Sequence, residues 1–444
     1  MFLSPLDGRY RSRVQELLPI FSEFGLARYR TQVEVEWLIF LSEKNLAPSL
    51  SAQQIEVLRD TYKAFGEADF AAIKKIEKTT NHDVKAVEIF LQSKCEKRFH
   101  PFIHFGCTSE DINSTSYGLM MKDGYAVVTE MLETVVQDLR IKSTDWKAVP
   151  MLSRTHGQTA TPTTLGKEFL VFARRLDSLL IWPDTQAILF SAKFSGATGN
   201  WAAHVAAYPD QDWLVLTEEF VVERLGLTWN PVTTQIEPHD EQALLMNELS
   251  RAATILIDLC RDVWSYISLG YFGQKVVKGE VGSSTMPHKV NPIDFENCEG
   301  NMKLARGLAR TLSDELPVSR WQRDLTDSTV QRNFGLVFGH FQLALKSLAK
   351  GLGKIELKEH VLLADLQSSP EVLTEAVQTV MRKHGHDDAY DQLKNFSRGQ
   401  ALKLDQVQAF IEQIDISEED KTRLKQLLPE TYTGLSEEIV DKFA

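Results

Sequence analysis

An all-α fold built on long helices is what this 444-residue sequence predicts, and three observations carry that reading. From Asp240 to Phe272 there is no Pro, and no Gly before Gly270. Over that stretch Leu245, Leu249, Ala252, Leu256, Leu259, Val263 and Ile267 recur every three or four residues as one apolar stripe. Similar periodicity covers about 21–44, 116–146, 164–190 and 326–352, and strand-like alternation is scarce and short. At about 1.5 Å per residue the 240–272 helix is roughly 45–50 Å long, which suits a bundle better than a small domain.

The elements in chain order support a three-part division. Residues 1–109 read as an N-terminal helical domain and 110–355 as the central long-helix bundle. Residues 356–444, with shorter helical patterns and many surface charges, read as a C-terminal helical domain. Pro- or Gly-bearing segments interrupt the helices at 99–113, 149–163, 195–208, 227–238, 278–292 and 316–324. Polar and aromatic loops of this kind, carried on a rigid helical scaffold, are where sites usually sit.

Composition narrows the function. With 43% hydrophobic and 25% charged residues the chain reads as a globular protein. No apolar run is long enough to span a bilayer, and Met1 to Tyr10 lacks a basic stretch followed by an apolar one, so a cytoplasmic protein is expected. Cys95, Cys107, Cys260 and Cys298 lie far apart with no C-x-x-C pair, and the eleven histidines form no H-E-x-x-H motif, so no metal is expected. A net charge of −12 argues against a nucleic-acid partner. It leaves room for an anionic metabolite if a few basic groups converge on one cleft.

Three segments carry chemistry. Gly279 to Pro292 has two glycines before Ser283-Ser284-Thr285 and two prolines around Lys289 and Asn291. Such a segment cannot continue a helix, and it can deliver hydroxyls, a cation and free N–H groups to a ligand. Read blandly, it is a solvated connection. In Ser153-Arg154-Thr155-His156-Gly157-Gln158-Thr159, small polar neighbours leave His156 accessible, although a lone loop histidine is more often structural. In His104-Phe105-Gly106-Cys107-Thr108-Ser109-Glu110-Asp111, Thr108 or Ser109 reads as a helix N-cap followed by first-turn acids, and a helix N-terminus also suits an anion.

The ordered pattern Gly282-Ser283-Ser284-x-Met286-Pro287-x-Lys289-x-Asn291-Pro292 closely resembles the loop that marks the fumarase/aspartase superfamily. The His156 segment is similar to the superfamily's acid-bearing box. The Thr108-Ser109-Glu110-Asp111-Ile112-Asn113 segment is similar to its first box. Thr79 to Glu88, Thr233 to Asp240, Ser319 to Asp324, Asp327 to Arg332 and Asp7 to Tyr10 resemble segments of the adenylosuccinate lyase family in its bacterial form. Taken singly, each of these reads as a helix end or a surface ion-pair patch. One departure is Thr159, where members often have Pro.

The resemblance implies a three-domain lyase fold with a central bundle of long helices, forming a homotetrameric helical core. It implies cofactor-free, metal-free release of fumarate, with His156 as acid, Ser283 as base, Lys289 stabilising the dianion and Glu296 paired with His156. A nucleotide substrate would be held by Arg9, Tyr10, Asn81, His82, Asp83, Lys85, His104, Thr108, Ser109, Gln235, Ser284, Asn291, Asn297, Arg323, Ser328, Thr329 and Arg332. Cationic side chains among these, with the Thr108 and Ser109 N–H groups, would gather positive charge for a phosphate and two carboxylates. Each active site would be shared, with the segments at Thr108, His156 and Ser283 arriving from three subunits. Two other readings stay open: another fumarate-releasing lyase such as argininosuccinate lyase, and a non-catalytic structural member of the superfamily.

Overall fold

Ser22 opens the first long helix: its side-chain oxygen accepts the Gly25 N–H at 3.1 Å and caps α1 (Glu23–Glu43). The computed structural model describes residues 3–180, 190–276, 286, 288–398 and 402–444. α1 is apolar around most of its circumference and is buried almost throughout. There follow α2 (Asp83–Gln92), α3 (Ser109–Asp145), a hairpin of β1 (Pro150–Thr155) and β2 (Gln158–Thr164), and α4 (Leu165–Leu180). Further helices are α5 (Asp240–Ser268), α6 (Ile293–Glu315), the short α7 (Thr326–Gln331) and α8 (Phe334–Leu352), and short helices fill the C-terminal part.

The expected 240–272 helix ends at Ser268, because Gly270 turns the backbone to φ 81°. α3 starts at Ser109, ahead of the expected 116, since Glu110 and Asp111 supply the acidic first turn a helix start favours. Of the expected 164–190 helix, 181–189 lie outside the described residues. Two expectations need correction. The single helix expected over 326–352 is two helices, broken at Arg332 and Asn333. There the Asn333 side-chain amide donates to the Thr329 and Val330 carbonyls at 3.0 and 3.4 Å and ends α7. The loop expected over 149–163 is the β1–β2 hairpin, in antiparallel register from Pro150 opposite Thr164 to Thr155 opposite Gln158.

The chain divides into two units. The first comprises residues 1–132, 179–257 and 298–346; the second comprises 133–178, 258–297 and 347–444. The first has an apolar core that includes Val35, Leu38, Ile39, Ile73, Val87 and Phe90, with Trp37, Phe40, Phe194 and Phe220 in mutual ring contact. The second packs Trp146, Phe169 and Phe272 together and has a separate core around Leu373, Val377, Met381 and Ile411. Among the described residues no helix is long and apolar enough to cross a membrane.

Candidate active site

In the first unit, α1 presents charges inward where its neighbours are apolar. Arg30 and Glu34, one turn apart, face the same way. Arg30 donates to Asp83 Oδ2 at 2.8 Å and to Asn113 Oδ1 at 2.9 Å. Asp83 opens α2, where His82 is the N-cap and its Nδ1 accepts the Lys85 N–H at 3.2 Å. Arg332, at the end of α7, donates to the same Asp83 oxygen at 2.8 Å and also to Glu23. Burial alone would raise the Asp83 carboxyl, but Arg30 and Arg332 outweigh it and hold it well below the usual carboxylate range.

The contacts continue without a break. Glu110 Oε1 accepts from Asn113 Nδ2 and pairs with Arg323 Nη1, each at 2.8 Å. Arg323 reaches Asp327 at 3.9 Å, and Asp327 faces His239 Nε2 at 3.4 Å. The His239 N–H donates to the buried Glu237 at 2.7 Å. The segments that stand out in the sequence around 79–88, 104–113, 233–240 and 319–332 are thus tied into one polar chain. Burial would raise the Asp327 carboxyl, but His239 and Arg323 bring it below its ordinary value.

His104 stands at φ 60°, gripped by Glu34, which accepts its backbone N–H at 3.0 Å and lies 2.6 Å from its Nδ1. Burial would lower the pKa of the His104 ring, but the Glu34 carboxylate reverses this and raises it. Gln235 donates its side-chain amide to the Ala197 carbonyl at 2.9 Å and its N–H to the Gln322 carbonyl at 3.3 Å. Of the seven described non-glycine residues with positive φ, five lie in these segments or at His156: Asn81, His104, His156, His239 and Trp321. Backbone strain of this kind concentrates at functional sites.

Among the described residues of this unit, three of the expected cations are already matched by carboxylates. Arg332 is matched by Asp83 and Glu23, Arg323 by Glu110 and Asp327, and Lys85 by Glu88 at 2.6 Å. A partly buried guanidinium keeps its charge, so its desolvation has to be offset by a counter-ion, and these carboxylates supply one. The Thr108 N–H is also engaged, donating to Asp111 Oδ2 at 2.7 Å as Asp111 reaches back to the helix start. Ser109 is the first residue of α3. Arg9 is exposed, its guanidinium 5.7 Å from the Tyr10 ring centre. On α7, the Ser328 N–H donates to Asp327 at 2.7 Å and the Thr329 carbonyl accepts from Asn333.

In the second unit, His156 and Gly157 form the two-residue turn between β1 and β2, with φ of 54° and 73°. Two consecutive positive φ values mark a type I′ turn, whose twist matches the flanking strands. The turn leaves His156 exposed at the hairpin tip, with no hydrogen-bond partner among the described residues. The hairpin is anchored by Arg154, which donates to the Tyr271 hydroxyl at 2.7 Å and to Asp365 at 2.6 Å. Thr159 donates to Glu371 at 3.4 Å, a contact a proline there would lack.

Glu296 lies in the first turn of α6, where it accepts the Trp264 indole N–H at 3.1 Å, and it makes no contact with His156 within the chain. Asn297 accepts from the Ser347 hydroxyl at 2.7 Å. Lys289 is exposed, its N–H donating to the Met286 carbonyl at 3.0 Å, and Asn291 follows two residues later. Ser283 and Ser284 lie outside the described residues.

Sequence reasoning missed Arg30 and Glu34, whose contacts hold Asp83, Asn113 and His104. The available signal was charge inside an apolar stretch, as in Leu26-Ala27-Arg28-Tyr29-Arg30-Thr31-Gln32-Val33-Glu34-Val35-Glu36-Trp37. A charge inside a buried helix needs a partner, even when the sequence does not say which.

Residues 8–307 match the family model described as "Lyase", and residues 319–433 match the one described as "Adenylosuccinate lyase C-terminal". The chain is 47% identical to the adenylosuccinate lyase of Vibrio cholerae, over 99% of this chain and 98% of that protein. It is 47% identical to that of Escherichia coli at the same coverage. With the adenylosuccinate lyase of Dictyostelium discoideum identity is 46%, over 98% of this chain and 96% of that one. Among solved structures it superposes on a fumarate lyase from Mesorhizobium sp. BNC1 with a TM-score of 0.80 at 18% identity, covering 97% of each chain. The 3-carboxy-cis,cis-muconate lactonizing enzyme of Pseudomonas putida gives a TM-score of 0.77 at 21% identity, covering 96% and 95%. Likenesses at that level of identity bear on the fold alone.

Proposed function

The chain belongs to the adenylosuccinate lyase family, and on that premise we propose that it splits adenylosuccinate into AMP and fumarate. By the same chemistry it cleaves the succinylated aminoimidazole carboxamide ribotide of purine synthesis. The full-length likeness to curated adenylosuccinate lyases carries this reading. It also sets aside argininosuccinate lyase and a non-catalytic structural protein as alternatives.

The proposed chemistry is an elimination. Ser283, once deprotonated, takes the proton from the succinyl carbon beside a carboxylate. The C–H electrons become the new double bond of fumarate, and the C–N electrons leave with the purine amine. His156 delivers the proton to that nitrogen as the general acid. Negative charge builds on the carboxylate during the first step, and Lys289 stabilises it there more than in the substrate. The first unit supplies substrate-holding groups through Asp83, Arg323, Arg332 and Gln235, whose positions are set by the polar chain of hydrogen bonds and ion pairs described above. Arg9, Tyr10, Asn81, His82, Lys85, His104, Thr108, Ser109, Ser284, Asn291, Asn297, Ser328 and Thr329 complete the proposed contacts.

The protein acts as a homotetramer in the cytoplasm, with sites shared between subunits. Two observations support sharing: His156 and Glu296 make no contact within one chain, and large apolar side chains stay exposed on the long helices, among them Ile141, Leu244, Trp264, Ile293 and Leu304. Such side chains are available to be covered by a partner subunit in the proposed tetramer. The three-part division at 109/110 and 355/356 belongs to the same reading. It is supported by apolar cores confined to Ala27–Ile103 and Leu373–Leu424. The test is to supply either succinylated substrate and follow fumarate, with and without exhaustive chelation. Release in both conditions is expected. No release from either substrate, or release only on metal addition, sinks the assignment.

A further inference from the structure

We infer that Asp111 and Lys193 are a positioning pair for this reaction, holding the Thr108 segment and the loop after Lys193 in fixed register. The inference rests on the lyase reading above. Both side chains are fully buried, 0% exposed, with Lys193 Nζ 3.0 Å from Asp111 Oδ1. The same oxygen accepts the Ser195 and Gly196 N–H groups at 2.7 and 3.1 Å, and the other oxygen accepts the Thr108 N–H. Lys193 Nζ returns a bond to the Gly196 carbonyl at 2.6 Å. Ser114, nearly one turn further along α3, accepts the Lys193 N–H at 3.3 Å and donates to the Lys193 carbonyl at 3.0 Å. One carboxylate therefore gathers donors from two segments some eighty residues apart, a separation of 84 positions between Asp111 and Ser195.

Stability alone gives no reason for such a pair. Burying two charges is expensive, and an apolar pair of similar volume often serves as well. What an apolar pair cannot do is accept N–H groups from both segments at one point. The loop that leaves this clamp runs to another site residue, because the Ala197 carbonyl accepts the Gln235 side chain at 2.9 Å. Gly199, at φ 75°, lies so close to the Thr233 carbonyl that a Cβ would stand 2.2 Å from its oxygen. The buried His204 ring wedges beneath both ends of the clamp. A Cβ on Gly106 would meet its Nε2 at 2.4 Å, and one on Gly196 would meet its Cε1 at 3.6 Å. Asp111 and Lys193 thus set the span between Thr108 and Gln235, two residues proposed to hold the substrate.

The test compares fumarate release and thermal midpoint in the wild type, Lys193→Met, the double variant Asp111→Asn with Lys193→Met, and Gly196→Ala. Lys193→Met leaves a buried carboxylate without its counter-ion, so its midpoint falls. The double variant removes that charge and recovers the midpoint. An Asn has one accepting oxygen and cannot serve both segments, so kcat/KM stays down by roughly 100-fold, the scale of a misplaced site, with KM raised as well as kcat lowered. A stably folded double variant with kcat/KM within about twofold of wild type overturns the inference. Should the double variant fail to fold, Gly196→Ala decides: it leaves the ion pair intact and displaces the two loop amides. A folded Gly196→Ala protein with at least about a tenfold loss in kcat/KM supports the inference, and one with unchanged kinetics overturns it. A wild type that releases no fumarate overturns the lyase reading and this inference with it. An active wild type with an equally active double variant overturns this inference alone.

Discussion

His156 occupies the first position of a two-residue turn that asparagine fills best, so backbone preference alone does not account for a histidine there. His156→Asn should keep the left-handed turn and remove the proton donor. We expect kcat to fall about 10²–10⁴-fold, the usual worth of a general acid, with the thermal midpoint unchanged or raised. A folded His156→Asn protein with normal turnover would put the acid elsewhere. His104 gives a prediction of the opposite kind, in stability. Its folded pKa lies above the ordinary 6.5 because Glu34 outweighs burial. The folded state therefore holds its proton more tightly than the unfolded chain does. That stabilisation is fully present below the unfolded value and is lost as pH rises through the folded value. Against His104→Gln, the wild type should gain about 1.5–3 kcal/mol on the acid side, the worth of hydrogen bonds to charged groups. The gain should shrink as pH rises above the folded value. Urea midpoints of both proteins across that range measure it, and a difference independent of pH would mean that the ring is not titrating.

The hairpin that carries His156 is held where α3 meets α4, and one glycine closes that junction. A Cβ on Gly166 would stand 2.3 Å from the Ser143 carbonyl oxygen and 2.6 Å from the Lys147 Cα, and the Gly166 N–H donates to the Trp146 carbonyl at 3.0 Å. In an open helix Gly→Ala stabilises by up to about 1 kcal/mol. Here the obstacle is backbone, which cannot rotate away. Gly166→Ala should therefore destabilise by about 1–3 kcal/mol, as overpacking does. It should also lower fumarate release, because the hairpin moves with α4. A more stable Gly166→Ala protein in urea titration would show that the junction yields. At this scale the sequence was legible where periodicity was long and unbroken, as in α1 and α5. It failed at 326–352, where the apolar spacing runs on through Arg332 and Asn333 although the helix stops. Periodicity reports which face is apolar and is silent on a side chain that caps carbonyls in mid-run. It failed again at 149–163, where the Thr-rich flanks of His156-Gly157 were a hairpin signal read as a loop.

At the scale of the whole molecule, the residues proposed to hold substrate fall mostly in the first unit, and the proposed acid, the Glu296 carboxylate and Lys289 fall in the second. If sites are shared among subunits, His156→Ala and Ser283→Ala proteins, each inactive, should complement one another in mixed tetramers. With equal random mixing the two segments at a site are drawn independently, so roughly one site in four carries both wild-type residues. Mild dissociation, joint reassociation and a fumarate assay measure this. Recovery near that fraction supports shared sites. No recovery, with mixed tetramers seen by mass spectrometry, means that both residues act within one chain.

Local pattern alone was enough for the sequence to give the long helices, the segments that interrupt them and the family the chain belongs to, because periodicity, breakers and ordered motifs are properties of neighbouring residues. Tertiary structure alone decided which charges are partners. Arg30 joins Asp83 to Asn113 across separations of 53 and 83 positions, Arg332 reaches back 249 to the same Asp83, and Asp111 collects amides from a loop 84 residues on. A buried charge declares in sequence only that it needs a counter-charge. Which one it finds is fixed by the packing of apolar faces that brings distant segments together, and nothing local encodes that choice.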